Sequence, residues 1–354
     1  MNTMRGKIIQ VAGRVIGSGH PIFIIADAGV NHNGNVKIAK KLIDAAVFAG
    51  VDAVKFQTFS PDILVTKDAS QAEYQTKNIG KAESQYDMLD RLKLRREDHK
   101  ELQTYAKQKG LMFLSTPFSD SDTDFLDELG VPLFKVGSSD TNNIPSLRHI
   151  AKKGKPMIVS TGMSTLDEIL DAISTIKEAG NSDIVMLHCT TQYPTPMNDV
   201  NLRAMLTMQE KCDVLIGYSD HTVGIEVPIA AAALGAVVIE KHHTLTRDME
   251  GPDHKASLEP DELKAMVKGI RNIEKALGIA EKKPSTATMK VAEVAQKSLV
   301  AKTNISRGKI ITRDDLTIKR PGTGIKPKEI DNIIGKRARV DILADTLIKP
   351  EDYD

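Results

Sequence analysis

Short apolar runs recur along most of the chain, and each one ends in polar or ionisable residues. Short apolar runs bounded by polar residues are typical of buried strands, and segments with helical periodicity lie between most of them. The eight runs occupy residues 22–26, 53–56, 112–114, 133–134, 157–159, 184–187, 214–216 and 236–239. Eight such βα units predict an α/β fold, a TIM (β/α)8 barrel, with its active site at the carboxyl ends of the strands. Core packing explains the apolar runs but not the polar groups that follow each of them, so the pattern favours an enzyme.

The connecting segments support this arrangement. Five of them have helical periodicity and are each followed by glycine, a common helix terminator; they cover residues 36–49, 98–109, 166–179, 226–234 and 260–277. Residues 7–20 predict a hairpin that closes the amino-terminal end of the barrel. The connection over 59–96 is unusually long, and long connections in compact domains are commonly functional.

The sequence changes character after residue 278. We therefore expect a barrel domain over 1–278, a lysine-rich linker over 279–296 and a small β-rich domain over 297–354. A domain of about sixty residues has a marginal core. We expect it to dock over a barrel mouth, either its own or that of a partner.

Composition narrows the classes of function. The 354 residues are 41% hydrophobic and 27% charged, with a net charge of +1. This balance gives no field that would attract nucleic acid or a membrane surface, so any anion must be recognised locally. No segment is apolar enough to suggest a membrane span or a signal peptide. The two cysteines cannot form a disulfide framework, and a cytoplasmic location is expected.

Two histidines follow neighbouring strands at the end of the barrel. His221 comes after the seventh run and His242 after the eighth, with Asp220 and Glu240 nearby. Converging imidazoles flanked by carboxylates favour a divalent transition metal over the alternative that the histidines only cap strand ends. His243 should point away from His242, because side chains alternate along a strand.

Lysines and hydroxyls follow several other runs. A lysine at the inner end of an apolar strand is costly to bury without an anionic partner. The sequence therefore predicts an anionic substrate, carrying phosphate or carboxylate, although single hydroxyls of this kind can also act as helix caps. The set comprises Lys55, Ser115, Thr116, Lys135, Ser138, Ser139, Ser160 and Ser219.

Two aspartates and two loops complete the candidate site. Asp27 and Asp140 follow strands and precede asparagine-rich turns, where they accept the hydroxyl protons of a polyol, act as a base or cap the loop. Tyr193 lies in a proline-rich turn, and Asp253 lies in a polar loop after the last run, where barrel enzymes often close over phosphate.

These motifs resemble the sialic acid (nonulosonate) synthases of bacteria, of the N-acetylneuraminate and N,N'-diacetyllegionaminate type. The resemblance extends over nearly the whole chain, and the carboxyl-terminal segment is similar to the family's antifreeze-like (SAF) domain. The matching segments are IIADAGVNHNG (24–34), VKFQ (54–57), LSTPF (114–118), KVGS (135–138), STGM (160–163), HCT (188–190), YPTP (193–196), GYSDHT (217–222), EKH (240–242) and KRPG (319–322).

The resemblance implies that phosphoenolpyruvate condenses with an open-chain 2-acetamido hexose to give a nine-carbon keto sugar acid and phosphate. It also implies Mn²⁺, with Mg²⁺ or Co²⁺ as alternatives, on His221 and His242, and a domain-swapped homodimer. Catalytic roles would fall to Asp27, Lys55, Asp140 and Glu240. The implied substrate-binding residues are Gln57, Thr116, Lys135, Ser138, Ser160, Thr191, Tyr193, Ser219, Asp253 and Arg320.

The sequence departs from related synthases at three positions. Asp27 and Asp140 stand where relatives have Glu, and Thr191 replaces the Asn of the N-acetylneuraminate type. The acceptor is left open between an N-acetylmannosamine and a 2,4-diacetamido-trideoxymannose type. Two alternatives also remain: a barrel aldolase or lyase that uses a lysine Schiff base, and a catalytically impaired carbohydrate-binding relative.

Overall fold

An antiparallel hairpin opens the computed structural model, which describes residues 7–354. Its strands are β1 (Ile8–Val11) and β2 (Arg14–Gly17). Ile9, Val11 and Ile16 are buried among the side chains that fill the barrel interior. The predicted hairpin is therefore confirmed, and it closes the barrel end opposite the polar strand termini. Residues 1–6 of the expected barrel domain lie outside the described residues.

Eight parallel strands form the barrel. Seven of the eight pairs of neighbouring strands are joined by parallel ladders, including the pair of the last strand with the first. The remaining neighbours, the third and fourth barrel strands, lie side by side with no ladder between them in the part of the chain described. The predicted TIM-type barrel is confirmed. Its strands are β3 (Phe23–Gly29), β4 (Ala53–Thr58), β5 (Met112–Pro117), β6 (Phe134–Val136), β7 (Met157–Ser160), β8 (Ile184–His188), β9 (Leu215–Asp220) and β10 (Val238–His242).

Helices cover the outside of the barrel, and a larger apolar layer lies between them and the strands. The five helices predicted from periodicity are present, with ends within about two residues of the expected positions. The helices of this unit are α1 (Val36–Ala49), α2 (Pro61–Leu64), α3 (Glu73–Ile79), α4 (Gln85–Leu92), α5 (Arg96–Gln108), α6 (Asp120–Leu129), α7 (Ile144–Ala151), α8 (Leu166–Glu178), α9 (Ala204–Lys211), α10 (Glu226–Ala233) and α11 (Pro260–Leu277).

The long connection after β4 contains α2, α3 and α4 rather than an unstructured loop. We call residues 59–96 the excursion. Phe59, Met88 and Leu92 of the excursion are buried with Val30 in a small apolar cluster separate from the main core. The excursion therefore has a packed base of its own beside the barrel mouth.

A second compact unit begins at Ile279. It contains α12 (Thr286–Ala295) and one antiparallel pair, β11 (Ser298–Ala301) with β12 (Leu316–Lys319). The segment expected to be a linker thus holds a helix. Other pairings of this unit, which the sequence predicts to be β-rich, are isolated bridges, such as Ile310 with Arg337. Its core is a small cluster of apolar side chains, including Leu299, Ile311 and Ile342.

Within residues 7–354, none of the helices combines the length and the apolar character required to cross a membrane.

Candidate active site

A cavity of about 580 Å³ opens at the carboxyl ends of the barrel strands. The strand ends supply its polar wall, and the excursion supplies an apolar wall that includes Leu64, Met88 and Leu92. Nearly all the candidate residues predicted from the sequence line this one cavity. They are Asp27, Lys55, Gln57, Thr116, Lys135, Ser138, Ser160, Thr191, Tyr193, Ser219, His221, Glu240, His242 and Asp253.

Ser115 and Asp140 do not line the cavity. Ser115 is fully buried, and its hydroxyl pairs with that of Thr58 at 2.7 Å. Asp140 accepts hydrogen bonds at its carboxylate from the Ser139 hydroxyl and the Asn143 amide. Its position corresponds to the loop-capping alternative. Arg320 belongs to the second unit.

An ion pair between Asp27 and Lys55 lies at the base of the cavity. The Asp27 Oδ2 atom is 2.8 Å from Lys55 Nζ, and both residues are 3% exposed. Burial alone would raise the pKa of Asp27, but Lys55 and His242 lower it below its usual value. Burial opposes the charge of Lys55, yet Asp27 and Glu240 raise its pKa. Both groups are therefore charged at neutral pH.

A second lysine, Lys135, lies near the same carboxylate as Lys55, that of Glu240. Lys135 Nζ donates to Ser160 Oγ at 2.7 Å and lies 3.4 Å from Glu240 Oε1. Ser219 Oγ donates to the same Glu240 oxygen at 3.0 Å. Burial lowers the pKa of Lys135, and Glu240 opposes that shift. Two cations thus face one cavity whose resident carboxylates, Asp27 and Glu240, hold them in place.

The two histidines converge as predicted. Their ring centroids are 5.4 Å apart, and His221 Nδ1 is 2.8 Å from the Thr190 carbonyl oxygen. That contact places the proton on Nδ1 and leaves Nε2 of His221 with a free lone pair. Burial, followed by the neighbouring His242, lowers the pKa of His221 to about 3, so this imidazole is neutral. His243 points outward, as expected, with Nε2 at 3.1 Å from the Leu42 carbonyl oxygen.

Three buried polar atoms of cavity-lining residues have no hydrogen-bond partner among residues 7–354. They are Glu240 Oε2, His242 Nδ1 and Thr191 Oγ1. Buried polar atoms without partners are uncommon and costly in folded proteins. Their position around one cavity indicates that a polar ligand satisfies them.

The histidine pair fits a divalent ion. Neutral imidazole is a common ligand for such ions, and His242 Nδ1 is buried with no described partner. Residues 7–354 contain no group of three or more His, Cys, Asp or Glu arranged to hold an ion. An ion held by two imidazoles would keep its other coordination positions for water and substrate oxygens, as a catalytic site requires.

Two other ionisable residues line the cavity. Asp253 is 7% exposed, and burial followed by Asp27 raises the pKa of its carboxyl. Burial raises the pKa of the Cys189 thiol to about 11. Cys189 is therefore a protonated thiol and not an activated nucleophile.

Sequence reasoning missed the side chains that the excursion contributes. Tyr74 stacks on Tyr193 with ring centroids 4.9 Å apart, and Tyr193 in turn lies 4.0 Å from His221. The unusual length of the connection was a signal that it has a function, but no motif identified Tyr74.

A second missed feature lies behind the site. Lys241 and Asp220 are both 0% exposed and form an ion pair on the outer face of β9 and β10. Each is flanked in sequence by cavity-lining residues, which alternate to the inner face. Asp220 also accepts hydrogen bonds from Tyr218 and Thr222. The pair joins the two strands that carry the histidines.

Comparisons with known proteins agree with this geometry. The model of the NeuB family matches residues 42–282, and that of the SAF domain matches residues 296–354. An N,N'-diacetyllegionaminic acid synthase of Legionella pneumophila is 46% identical over 336 residues, which cover 94% of each chain. One from Campylobacter jejuni is 47% identical over 328 residues, 92% of this chain and 98% of the other. The crystal structure of an N-acetylneuraminic acid synthetase from Leptospira borgpetersenii, in complex with citrate, has a TM-score of 0.72 and 33% identity, and covers 81% of this chain and 95% of that one.

Proposed function

The chain belongs to the NeuB family, and from this membership we propose that it condenses phosphoenolpyruvate with an open-chain N-acylated hexosamine to form a nonulosonic acid. The observation that carries the proposal is the convergence of Lys55 and Lys135, 3% and 2% exposed, on a single cavity. Two buried cations at a barrel mouth suit a small, multiply charged anion. Phosphoenolpyruvate carries both a carboxylate and a phosphate.

We assign the anion-binding groups from their places around the cavity. Lys55, Lys135 and Thr116 bind the negatively charged oxygens, and Lys55 Nζ already lies 3.2 Å from Thr116 Oγ1. Ser138 Oγ accepts from the Gly162 amide at 2.9 Å, which leaves its own proton free to donate to the anion. The remaining hydroxyls of the anion site are those of Ser160 and Ser219.

The reaction forms a bond between C3 of phosphoenolpyruvate and the aldehyde carbon of the sugar, whose oxygen takes up a proton. The electron pair of the C2–C3 double bond makes the new bond and leaves positive character at C2. Glu240 and Asp27 stabilise that charge because both carboxylates are buried and preorganised. Water then adds to C2 and loses a proton, and phosphate departs with cleavage of the C2–O bond to leave a 2-keto acid.

His221 and His242 would hold a divalent ion, which we propose to be Mn²⁺, with Mg²⁺ or Co²⁺ as alternatives. When bound, such an ion supplies Lewis-acid polarisation of the acceptor aldehyde. The chain keeps His221 ready for this role through the Thr190 contact and the lowered pKa of the ring.

For the acceptor, we propose a 2,4-diacetamido-trideoxy hexose of the legionaminic type ahead of N-acetylmannosamine. The two relatives most relevant to this choice, at 46% and 47% identity, are both diacetyllegionaminic acid synthases. Asp253 and Tyr193 would bind the sugar beside the apolar wall from the excursion, which suits an acceptor with few hydroxyl groups. Thr191 Oγ1, which has no described partner, would donate to an acetamido oxygen.

We further propose a cytoplasmic homodimer in which the second unit of one chain caps the barrel of its partner. Support comes from the small apolar core of this unit, which matches a SAF domain over residues 296–354. Arg320 would then reach the acyl group of the acceptor. We carry over no site role for Asp140, because its carboxylate caps its own loop.

Phosphate release tests the proposal. The full-length protein is assayed with phosphoenolpyruvate and a panel of mannosamine-type sugars, after treatment with EDTA and again after Mn²⁺ is restored. We expect release that depends on the sugar, is fastest with the diacetamido acceptor, is lost in EDTA and returns with Mn²⁺. Phosphate release at the same rate with and without the sugar would refute the proposed function.

The lowered pKa of Lys135 gives one observation in favour of the Schiff-base alternative. Borohydride reduction in the presence of a keto acid distinguishes the two chemistries. We expect no covalent adduct on Lys135, since its Nζ is held by Ser160 and faces the anion site. A trapped adduct with retained activity in EDTA would support the aldolase instead.

A further inference from the structure

Helix α3 of the excursion contacts two other loops of the barrel mouth through one face. Tyr74 and Asn78 are four residues apart, so they lie on the same side of the helix. Tyr74 stacks on Tyr193 of the loop after β8, with an angle of 24° between the rings. Asn78 Nδ2 donates to the Pro252 carbonyl at 2.6 Å, in the loop after β10, and lies 3.5 Å from the Tyr193 carbonyl oxygen.

These contacts account for the presence of the helix. α3 has seven residues and no fully buried side chain, and a helix this short is not stable alone in water. Its carboxyl-terminal Ile79 packs only partly against the apolar base of the excursion. Thr76 Oγ1 donates to Gln71 Oε1 within the excursion, whereas Tyr74 and Asn78 make the contacts of α3 with other loops of the barrel mouth.

The two contacted loops carry the residues assigned to the acceptor sugar. Tyr193 is itself the stacking partner of Tyr74, and Asp253 follows Pro252 directly. Tyr74, Tyr193, Pro252 and Asp253 all line the same cavity. The lysines assigned to phosphoenolpyruvate, Lys55 and Lys135, come from β4 and β6 and have no described hydrogen bond or ion pair to α3.

We propose that Tyr74 and Asn78 are positioning residues that hold Tyr193 and Asp253 against the acceptor, so that α3 determines selectivity for the sugar and not for phosphoenolpyruvate. The inference rests on the proposed function, because it takes Tyr193 and Asp253 as acceptor ligands. α3 thereby joins the excursion to the loops that follow β8 and β10.

The kinetic test separates the two Michaelis constants. An aromatic pair contributes about 0.5–1.5 kcal/mol beyond burial, so Tyr74→Ala should raise the KM for the sugar up to about tenfold. The KM for phosphoenolpyruvate should change less than about twofold. Tyr74→Phe keeps the ring and should stay near the wild type, whereas Asn78→Ala should raise the KM for the sugar alone.

Tyr86→Ala is the matched control. Tyr86 lies in α4 of the same excursion and donates to Asp62 Oδ1 at 2.7 Å, but it does not line the cavity. This variant should leave both constants near wild type. Equal increases in both constants for Tyr74→Ala, or an equal effect of Tyr86→Ala, would overturn the proposal.

Tryptic cleavage after Lys77 gives a readout that does not depend on activity. Lys77 is exposed on α3 between the two contact residues, so it is cut when the helix separates from the loops. Tyr74→Ala and Asn78→Ala should be cut about fivefold faster than wild type, since loss of about 1 kcal/mol of contact energy favours the open state. Cleavage of both variants at the wild-type rate would contradict the proposal that these two residues hold α3 against the loops. If the wild type released no phosphate with any sugar, the proposed function would fail, while the cleavage rates would still decide whether α3 is held as described.

Discussion

Gly29 and Gly162 allow side chains of the candidate site to approach the backbone closely. A Cβ atom on Gly29 would lie 2.9 Å from His242 Cε1, and one on Gly162 would collide with Thr191 Oγ1. Gly29 also has a φ of +49°, in the left-handed region that favours glycine. Both glycines therefore fix where a ligand-facing side chain can lie.

Gly29→Ala should displace the His242 ring and weaken binding of Mn²⁺ at least tenfold, because misplacement of a ligand by about 1 Å is costly. Gly50→Ala is the matched control, since Gly50 has a φ of +79° but no atom within 4 Å of the added Cβ. Both variants carry the cost of a left-handed alanine, about 1 kcal/mol. Titration of Mn²⁺ followed by electron paramagnetic resonance should separate them, and equal Mn²⁺ affinity in the two variants would contradict the role of Gly29.

At this scale the sequence predicted most of the polar residues that line the candidate cavity, because a polar residue at the carboxyl end of a parallel strand faces the barrel mouth. Asp140 does not line the cavity, and its carboxylate accepts hydrogen bonds from Ser139 and Asn143, beyond the three-residue strand β6. Local capping of this kind competes with a role in the cavity, and sequence spacing cannot distinguish the two.

Strands β9 and β10 carry the histidine pair, and the Asp220–Lys241 ion pair joins them from behind. A fully buried ion pair is weak evidence for stability, but removing one partner leaves an uncompensated buried charge. The ion pair lies directly beside the histidines in the sequence, because Asp220 is adjacent to His221 and Lys241 is adjacent to His242. We therefore assign the pair to setting the register of the two strands at the site.

Lys241→Met and Asp220→Asn should each lower the free energy of unfolding by about 3–5 kcal/mol, and the double variant should cost clearly less than their sum. Urea denaturation of all four proteins measures this coupling. The exposed pair Asp90–Lys93, at the carboxyl-terminal end of α4, is the control and should couple by less than about 1 kcal/mol. Additive losses at Asp220 and Lys241 would mean that the two charges do not depend on each other.

Periodicity predicted the longer helices because each has one sustained apolar face, as in α1 and α11. It did not predict the helices of the excursion, which are short, and α3 has no fully buried side chain to produce a pattern. The second unit was predicted to be β-rich, but besides the pair of β11 with β12 it forms single bridges, because it buries its apolar side chains largely through turns and loops.

The whole molecule consists of two compact units, and the proposed dimer makes each site depend on both chains. A complementation experiment tests this dependence. Lys55→Met removes the anion site of one barrel, and Arg320→Ala removes the proposed acyl contact of one second unit. In a swapped dimer, a mixed pair rebuilds one intact site from the wild-type barrel and the wild-type second unit.

Mixing the two variants after dissociation should restore roughly a quarter of wild-type activity at low sugar concentration, because half of the randomly paired dimers contain one intact site of two. Each variant alone should stay well below that value. Arg307→Ala, at an exposed arginine of the second unit, should behave as wild type in the same assay. If activity does not recover although mass measurement shows that mixed dimers form, then the barrel and the second unit of one site come from the same chain.

The central claim is that this chain joins phosphoenolpyruvate to a sugar aldehyde and releases phosphate by C–O cleavage. Phosphoenolpyruvate labelled with ¹⁸O at the bridging position tests it most directly, with a diacetamido mannose acceptor, Mn²⁺ and mass analysis of both products. The account predicts that the label leaves entirely in phosphate and that the nine-carbon keto acid forms in equal amount. Unlabelled phosphate, or phosphate formed without consumption of the sugar, would contradict it.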